Sequence, residues 1–485
     1  MKPSLSNTSS RASASRTKTR SRNRPDKQRP VAARKSRLNR LEVIASDQAE
    51  HIIDAVFNVL ATVGMIVEDA EARAMLINAG CQNKDDRILY PRDVVRRVLE
   101  TVPPKIDFFN QNGEHCFSTD DTVPRFGSAV NCVQVLDPRN GEYRPCLLAD
   151  IEDHGRLQEA LPHIDIAASL GYPSDIAAEE EAIASADALM NTTSKPIFFT
   201  GHDEHGVRTI WEHMGARVGG IANLAAKPFG LDLVGPVSPL KLGSETCQRL
   251  LMGARWHLPV VCYPAIFPGM ACPLTLAGSI TQATVESLAG IVISQLAAPG
   301  APVMSGSSVM PMDMRRADMA IGSPEYTLAG LGAADVFLSL GIPSWVGSGC
   351  TDAHDIGAQA FAEVNASLHG TCLSGTALTH NLGVLSSGRT GSMEMLVACN
   401  EMAGMASQFG AGIAVTADSI AEDVIARAYA DNSYLTDPHT LARYETEMWM
   451  PELFQREALE TWQDPDNPDF RRRLREQTLD LLESG

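Results

Sequence analysis

Eight apolar runs of strand length, each ending in a glycine, proline or polar corner, constrain the fold of this chain more than any other feature. They read RFGSAVNCVQVL (125–136), IDIAASLGYP (164–173), PIFFTGHD (196–203), FGLDLVGPVSP (229–239), PVVCYPAIF (259–267), APVMSGSSV (301–309), PSWVGSGCT (343–351) and GTCLSGTALTH (370–380). Their starts lie roughly 27–42 residues apart, the length of a strand, a loop and a helix. The runs are continuous rather than alternating, as expected of strands covered on both faces. Eight such units close most naturally into an α/β (β/α)8 TIM barrel over 125–415. An open doubly wound sheet is the alternative, but no GxGxxG follows the first run.

The flanks differ from the barrel. Residues 41–124 begin with a helical pattern, in which Ile52, Val56, Val59, Leu60 and Val63 share a face, then a helix over 91–101. KIDFFN and HCFST follow as a hairpin turning at Asn112-Gly113, so this is an N-terminal helical and β-hairpin subdomain. Residues 416–485 carry aromatic and acidic residues at helical spacings and are expected as a C-terminal helical extension on the barrel or on a second subunit.

Charge is unevenly placed. Residues 1–40 hold 13 Lys/Arg against the single Asp26, and the remainder holds 28 Lys/Arg against 58 Asp/Glu. The start is expected as a disordered basic tail, and the acidic remainder argues against nucleic acid as its partner. Ten scattered cysteines without a C-x-x-C pair suit a reduced, cytoplasmic interior. Apolar stretches broken before about 18 residues argue against a transmembrane helix.

In a barrel the chemistry belongs at the C-terminal mouth, so the corner residues are the candidates. Asn131, Tyr172, His202, Tyr263, Phe267, Ser307, Trp345, His354, Gln359 and His380 are expected to bind substrate, with Cys350, Asp352 and Glu325 in the same region. Aromatics among few charges suit a small cation, since a quaternary ammonium over a ring gains about 0.5–2 kcal/mol once desolvated. Each aromatic taken alone could equally be core packing. His202, His205 and His213 invite a zinc reading, but their spacing and the lack of a neighbouring cysteine argue against bound metal. Asp352-Ala-His354-Asp-Ile-Gly357 fits the D-x-H-x-x-G pattern of cobalamin-binding domains, yet no Gly-Gly pair follows it, so no corrinoid is expected on this chain itself.

HIIDAVFNVLATVGMIVEDAEARAMLINAGC, LAGSITQATVESLAGIVISQLAAPGAPV, MDMRRADMAIGSPE, WVGSGCTDAHDIGAQAFAE and DPHTLARYETEMWMPELFQREALETW together resemble the trimethylamine methyltransferase superfamily over about residues 41–480. The resemblance implies a (β/α)8 barrel and methyl transfer from a methylated amine to a corrinoid (cobalamin) supplied by a separate partner protein docking at the barrel mouth. Founding members carry pyrrolysine at the turn that here reads Gly349-Cys350. Its absence implies a quaternary amine such as a betaine, which departs as a neutral tertiary amine. Many relatives have Lys where this chain has His354. Asp352, Cys350 and Glu325 are the expected catalytic positions, and a homo-oligomer is expected. A folate-linked demethylase and a non-catalytic quaternary-amine-binding protein are the competing readings.

Overall fold

A computed structural model describes residues 40–484 apart from 122, 432, 465 and 466, with the backbone alone over 428–431. Residues 1–39 of the expected basic tail lie outside the described residues. All eight apolar runs contribute to one closed parallel ring. Its strands are β1 (Arg125–Ser128), β2 (bridge residues 166–167), β3 (Ile197–Phe199), β4 (Gly230–Val234), β5 (Val260–Cys262), β6 (Val303–Gly306), β7 (Ser344–Gly347) and β8 (Leu378–Leu382). Leu378 pairs with Arg125 to join β8 to β1, and the bridges Gly127–Ile166 and Ala167–Ile197 carry the ring through β2. The last run departs from expectation at its start. Residues 370–373 finish a helix, because Thr371 and Cys372 continue its buried face, and the strand begins only at Leu378.

A helix follows every strand: α1 (Leu148–Ala160), α2 (Glu181–Thr192), α3 (Glu204–Arg217), α4 (Ser244–Trp256), α5 (Leu276–Ala297), α6 (Pro324–Ser339), α7 (Ala358–Leu373) and α8 (Met393–Gly410). Local chemistry sets several starts. The Asp203 carboxylate accepts from Gly206 N at the head of α3, and Ser323 with Pro324 opens α6. By length and composition α5 is apolar enough to cross a membrane, and 72% of its apolar window is buried inside the fold. It is apolar all round because strands cover one side and the N-terminal helices the other.

The N-terminal helices Ser46–Thr62 and Arg92–Leu99 bury Val56, Phe57, Leu60, Val94, Val95 and Val98 in the same cluster as Leu250, Val285 and Val336 of α4, α5 and α6. Two features were not anticipated here. Met65–Val67 and Arg87–Leu89 pair as strands, with Lys241–Leu242 added in parallel; three residues are too few to break a helical pattern. The expected hairpin forms from Asp107–Phe109 and His115–Ser118, with Gly113 at φ +78° in its turn. Its Phe108 and Phe117 rings, 5.1 Å apart, join Ile166, Phe198, Leu231, Val261 and Met304 inside the barrel. Phe109 N donates to Pro228 O and Gln111 N to Ser194 O, just ahead of β4 and β3, so the hairpin closes the N-terminal end of the ring.

The C-terminal extension is held by two carboxylates on one face of α8. Glu394, fully buried, receives Arg475 Nε at 3.1 Å from the last helix, Phe470–Ser484. Glu401 accepts the backbone N–H groups of Glu452, Leu453 and Phe454 at 3.0–3.3 Å. Between these anchors most described side chains of the helices Glu422–Asp431 and Pro438–Glu447 are exposed.

One buried ion pair ties the strand ends together. Asp232 of β4, with no exposure, is held by the fork of Arg249 from α4, which also donates to Gly201 O and Leu233 O. Removing one member strands the other charge, at a cost of about 3–5 kcal/mol. Arg249→Met is therefore expected to lower the melting temperature strongly, and Asp232→Leu combined with it to recover most of the loss, read by calorimetry.

Candidate functional site

The barrel centre holds an aromatic group built by strands from across the ring. Phe198 (β3), Trp345 (β7) and His380 (β8) stand with ring centroids 5.2–5.8 Å apart, and Tyr263, just past β5, meets His380 at 5.3 Å. Successive strand residues point to opposite faces, so these positions face inward while Val346 and Val260 pack outward. Trp345 Nε1 lies 2.5 Å from His380 Nδ1. An indole N–H can only donate, so Nδ1 accepts and the imidazole proton sits on Nε2. The Val346 carbonyl, 3.2 Å from the same nitrogen, is then a polar neighbour and not an acceptor. Burial pulls His380 down to about 4, so the ring is neutral at ordinary pH.

Next to this group a hollow of about 80 Å³ opens at the ends of β1, β2 and β3. Asn131, Ser169, Tyr172, Thr200 and His202 line it from the strand ends, Glu181 and Ser185 from α2, and Phe198 is shared with the aromatic group. Asn131 sits at φ +64°, a conformation asparagine tolerates better than most residues. Tyr172 stacks on His202 at 6.2 Å, and His202 Nε2 is bonded to the Glu181 carboxylate. Burial and, second, the Glu181 charge push the Tyr172 hydroxyl above its usual range.

Among the described residues, three buried hydroxyls at the ends of β5, β6 and β7 have no hydrogen-bond partner: Tyr263 Oη, Ser307 Oγ and Ser348 Oγ. Tyr263 Oη lies beside the Ser308 hydroxyl and the Gly347 backbone without bonding geometry to either, and burial pushes it far up. An unmade hydrogen bond of this kind costs about 1–3 kcal/mol, so these hydroxyls are open to a polar atom of water or of a ligand. Tyr326, at the head of α6, puts its hydroxyl 3.3 Å from both Ser308 Oγ and Asn381 Nδ2. Residue 347 must be glycine here, since an added Cβ would stand 1.9 Å from that hydroxyl.

The remaining sequence candidates lie elsewhere. Cys350 is buried, its Sγ donates to Ile321 O at 3.6 Å, and burial pushes the thiol up, away from a reactive thiolate. Asp352, beside it, accepts from Ser387 Oγ at 2.9 Å and is raised chiefly by burial. Neither lines the hollow. Glu325 and Gln359 are exposed on the first turns of α6 and α7, with Gln359 bonded to Glu363 at 2.8 Å. His354 is exposed and its Nδ1 meets Ser386 Oγ at 3.1 Å. Phe267 is half-buried in the loop after β5. His213 pairs with Asp187 at 2.9 Å on the outside of α3, apart from the hollow-lining His202.

Glu181, Phe198, Tyr326 and Ser348 were not singled out in the sequence. Glu181 ends an acidic run, Glu179–Glu181, that reads as a solvated helix start, and Phe198 reads as ordinary strand packing. The loops around the mouth also expose Val133, Val237, Met270, Leu274 and Met314, each 52–69% accessible, as an apolar rim.

The family model described as Trimethylamine methyltransferase (MTTB) matches residues 9–484. Trimethylamine methyltransferase MttB of Desulfitobacterium hafniense (strain DSM 10664 / DCB-2) is 28% identical over 432 residues, 89% of this chain and 87% of that protein. Glycine betaine methyltransferase of Desulfitobacterium hafniense (strain Y51) is 26% identical over 429 residues, 88% of this chain and 89% of that protein. Among solved structures, the Methanosarcina barkeri monomethylamine methyltransferase (MtmB) has a TM-score of 0.51 at 13% identity, covering 91% of this chain and 88% of its own, a likeness of fold. A barrel whose mouth joins an aromatic centre to a small hollow, matched over nearly its whole length by that family model, belongs to the trimethylamine methyltransferase family and is a methylated-amine methyltransferase.

Proposed function

We propose that this chain seats a methylated ammonium cation in the hollow beside Phe198 and passes one methyl group to a cobalt(I) corrinoid carried by a separate protein. The observation that carries the reading is a buried aromatic centre that shares Phe198 with a hollow whose lining includes no Lys or Arg. Ring faces attract a permanent cation that makes no hydrogen bonds of its own. The neutral state of His380 matters for the same reason, because an imidazolium there would repel the substrate.

In the transfer, the N–CH3 bond breaks, its electron pair stays on nitrogen, and the amine leaves neutral. No proton is needed by the leaving group. The chain's part is to hold the cation, aim one methyl outward and exclude water. Tyr263, Ser307 and Ser348 place hydroxyls at the ends of β5, β6 and β7, on the other side of the aromatic centre from the hollow. Asp352 and Cys350 support the corner after β7 through their bonds to Ser387 and Ile321.

The acceptor is treated as a second substrate. The apolar rim of Val133, Val237, Met270, Leu274 and Met314 surrounds the mouth and suits a docking protein surface. A second copy of this chain is the proposed cover for another surface. Leu435, Leu441, Met448, Leu459 and Trp462 on the C-terminal extension are 60–78% exposed, and helices with so little buried face are marginal without a partner.

Purified chain incubated with a panel of methylated amines and cob(I)alamin should give methylcobalamin, read by its absorbance; no methyl-cobalt product with any amine would reject the reading. Tyr263→Phe is expected to hold or raise the melting temperature by removing a buried unpartnered hydroxyl, while raising KM for the amine about tenfold. Leu274→Asp should weaken transfer to a corrinoid protein at least tenfold and leave transfer to free cob(I)alamin nearly unchanged. For the extension, Leu435→Lys with Leu441→Lys should shift the sedimenting species toward monomer without altering the melting temperature of the barrel.

A further inference from the structure

We propose that the hollow selects a methylated cation that carries no carboxylate, and that Glu181 is the residue that makes the selection. The inference rests on the reading that the hollow is the amine seat, and it narrows that reading.

The charge inventory of the lining is short. Asn131, Ser169, Ser185 and Thr200 do not ionise, Tyr172 is a phenol held neutral, Glu181 is a carboxylate, and His202, whose Nε2 is bonded to that carboxylate, is the one basic side chain of the set. The Glu181 side chain is 12% exposed against 59% for His202, so the carboxylate belongs to the inner wall and the imidazole to its solvent side. Tyr172 stacks on the same imidazole and feels the Glu181 charge, which places carboxylate, phenol and imidazole along one wall, with Phe198 and Phe199 contributing aromatic surface to the same cavity. A tetraalkylammonium headgroup entering this space meets ring faces and one negative charge. A betaine entering it brings a second carboxylate into about 80 Å³ that already contains one, with no Lys or Arg in the lining to receive it.

Glu181 also begins α2, where acids favour the helix N-terminus. That role is shared by Glu179 and Glu180 just before it. A purely structural role would change the affinity for every ligand in step, whereas selection changes the ratio between ligands.

The test is titration calorimetry on the full chain with tetramethylammonium and with glycine betaine, beside the methyl-transfer assay with both. The wild type is expected to bind tetramethylammonium at least tenfold more tightly than glycine betaine. Glu181→Gln should weaken tetramethylammonium at least tenfold and collapse that ratio, and Glu181→Asp should restore most of it; a melting curve for each variant identifies any that fail to fold. Glycine betaine binding as tightly as tetramethylammonium in the wild type, or a ratio unmoved in folded Glu181→Gln, overturns the selection. If glycine betaine still yields methylcobalamin in that case, the methyl-transfer reading survives without it. If neither cation binds and no amine gives up a methyl, both readings fall.

Discussion

The bond from Trp345 Nε1 to His380 Nδ1 sits at the centre of the barrel, and the site is arranged around it. It joins β7 to β8 through side chains where the backbone ladder already joins them, and it fixes the tautomer of a ring that burial keeps neutral. Phe198 and Tyr263 pack edge-on against that ring, so their faces are held by it. A charged or rotated imidazole would disturb three aromatic contacts at once. The centre is thus apolar in effect although it contains two nitrogen-bearing rings.

Around that centre the fold divides its labour by end. The hairpin fills one end with Phe108 and Phe117, and the loops after the strands build the other. Outside, the N-terminal helices cover α4, α5 and α6, while the last helix of the chain packs on α1 and α8. The Asp232–Arg249 pair links this outer layer to the mouth, because Arg249 reaches from α4 to the Gly201 carbonyl beside His202. Rigid elements therefore hold the hollow on three strands that have short hydrogen-bonded lengths of their own.

Much of the architecture was legible in the sequence, since eight apolar runs with a helix after each leave few ways to bury both faces of the strands. The hairpin was legible for a related reason, as Asn112-Gly113 between two short aromatic runs is strong turn chemistry. The weakest strand, β2, appeared as plainly as the others because its run is buried even where its ladder is reduced to single bridges. What remained hidden depended on distance across the ring. Tyr172 and His202 could be named from their corners, but their joining with Glu181 arises from the way α2 returns over β3, which no spacing encodes. Conversely, the corner at Cys350 and Asp352 has the look of a site in one dimension and is closed in three by Ile321 and Ser387, which lie on other loops. Tyr326 was masked by the more chemical Glu325 beside it, although the helix start turns the tyrosine inward and the acid out.

The plugged end of the barrel has a kinetic corollary. With Phe108 and Phe117 stoppering the N-terminal opening, a small molecule reaches the hollow through the rim, and a protein seated on that rim stands in its route. On the proposed reading, loading of the amine, docking of the acceptor and escape of the demethylated amine share that rim. On the same reading such traffic would run in a compulsory sequence, with the small molecule first in and last out and the acceptor protein present only between those two events.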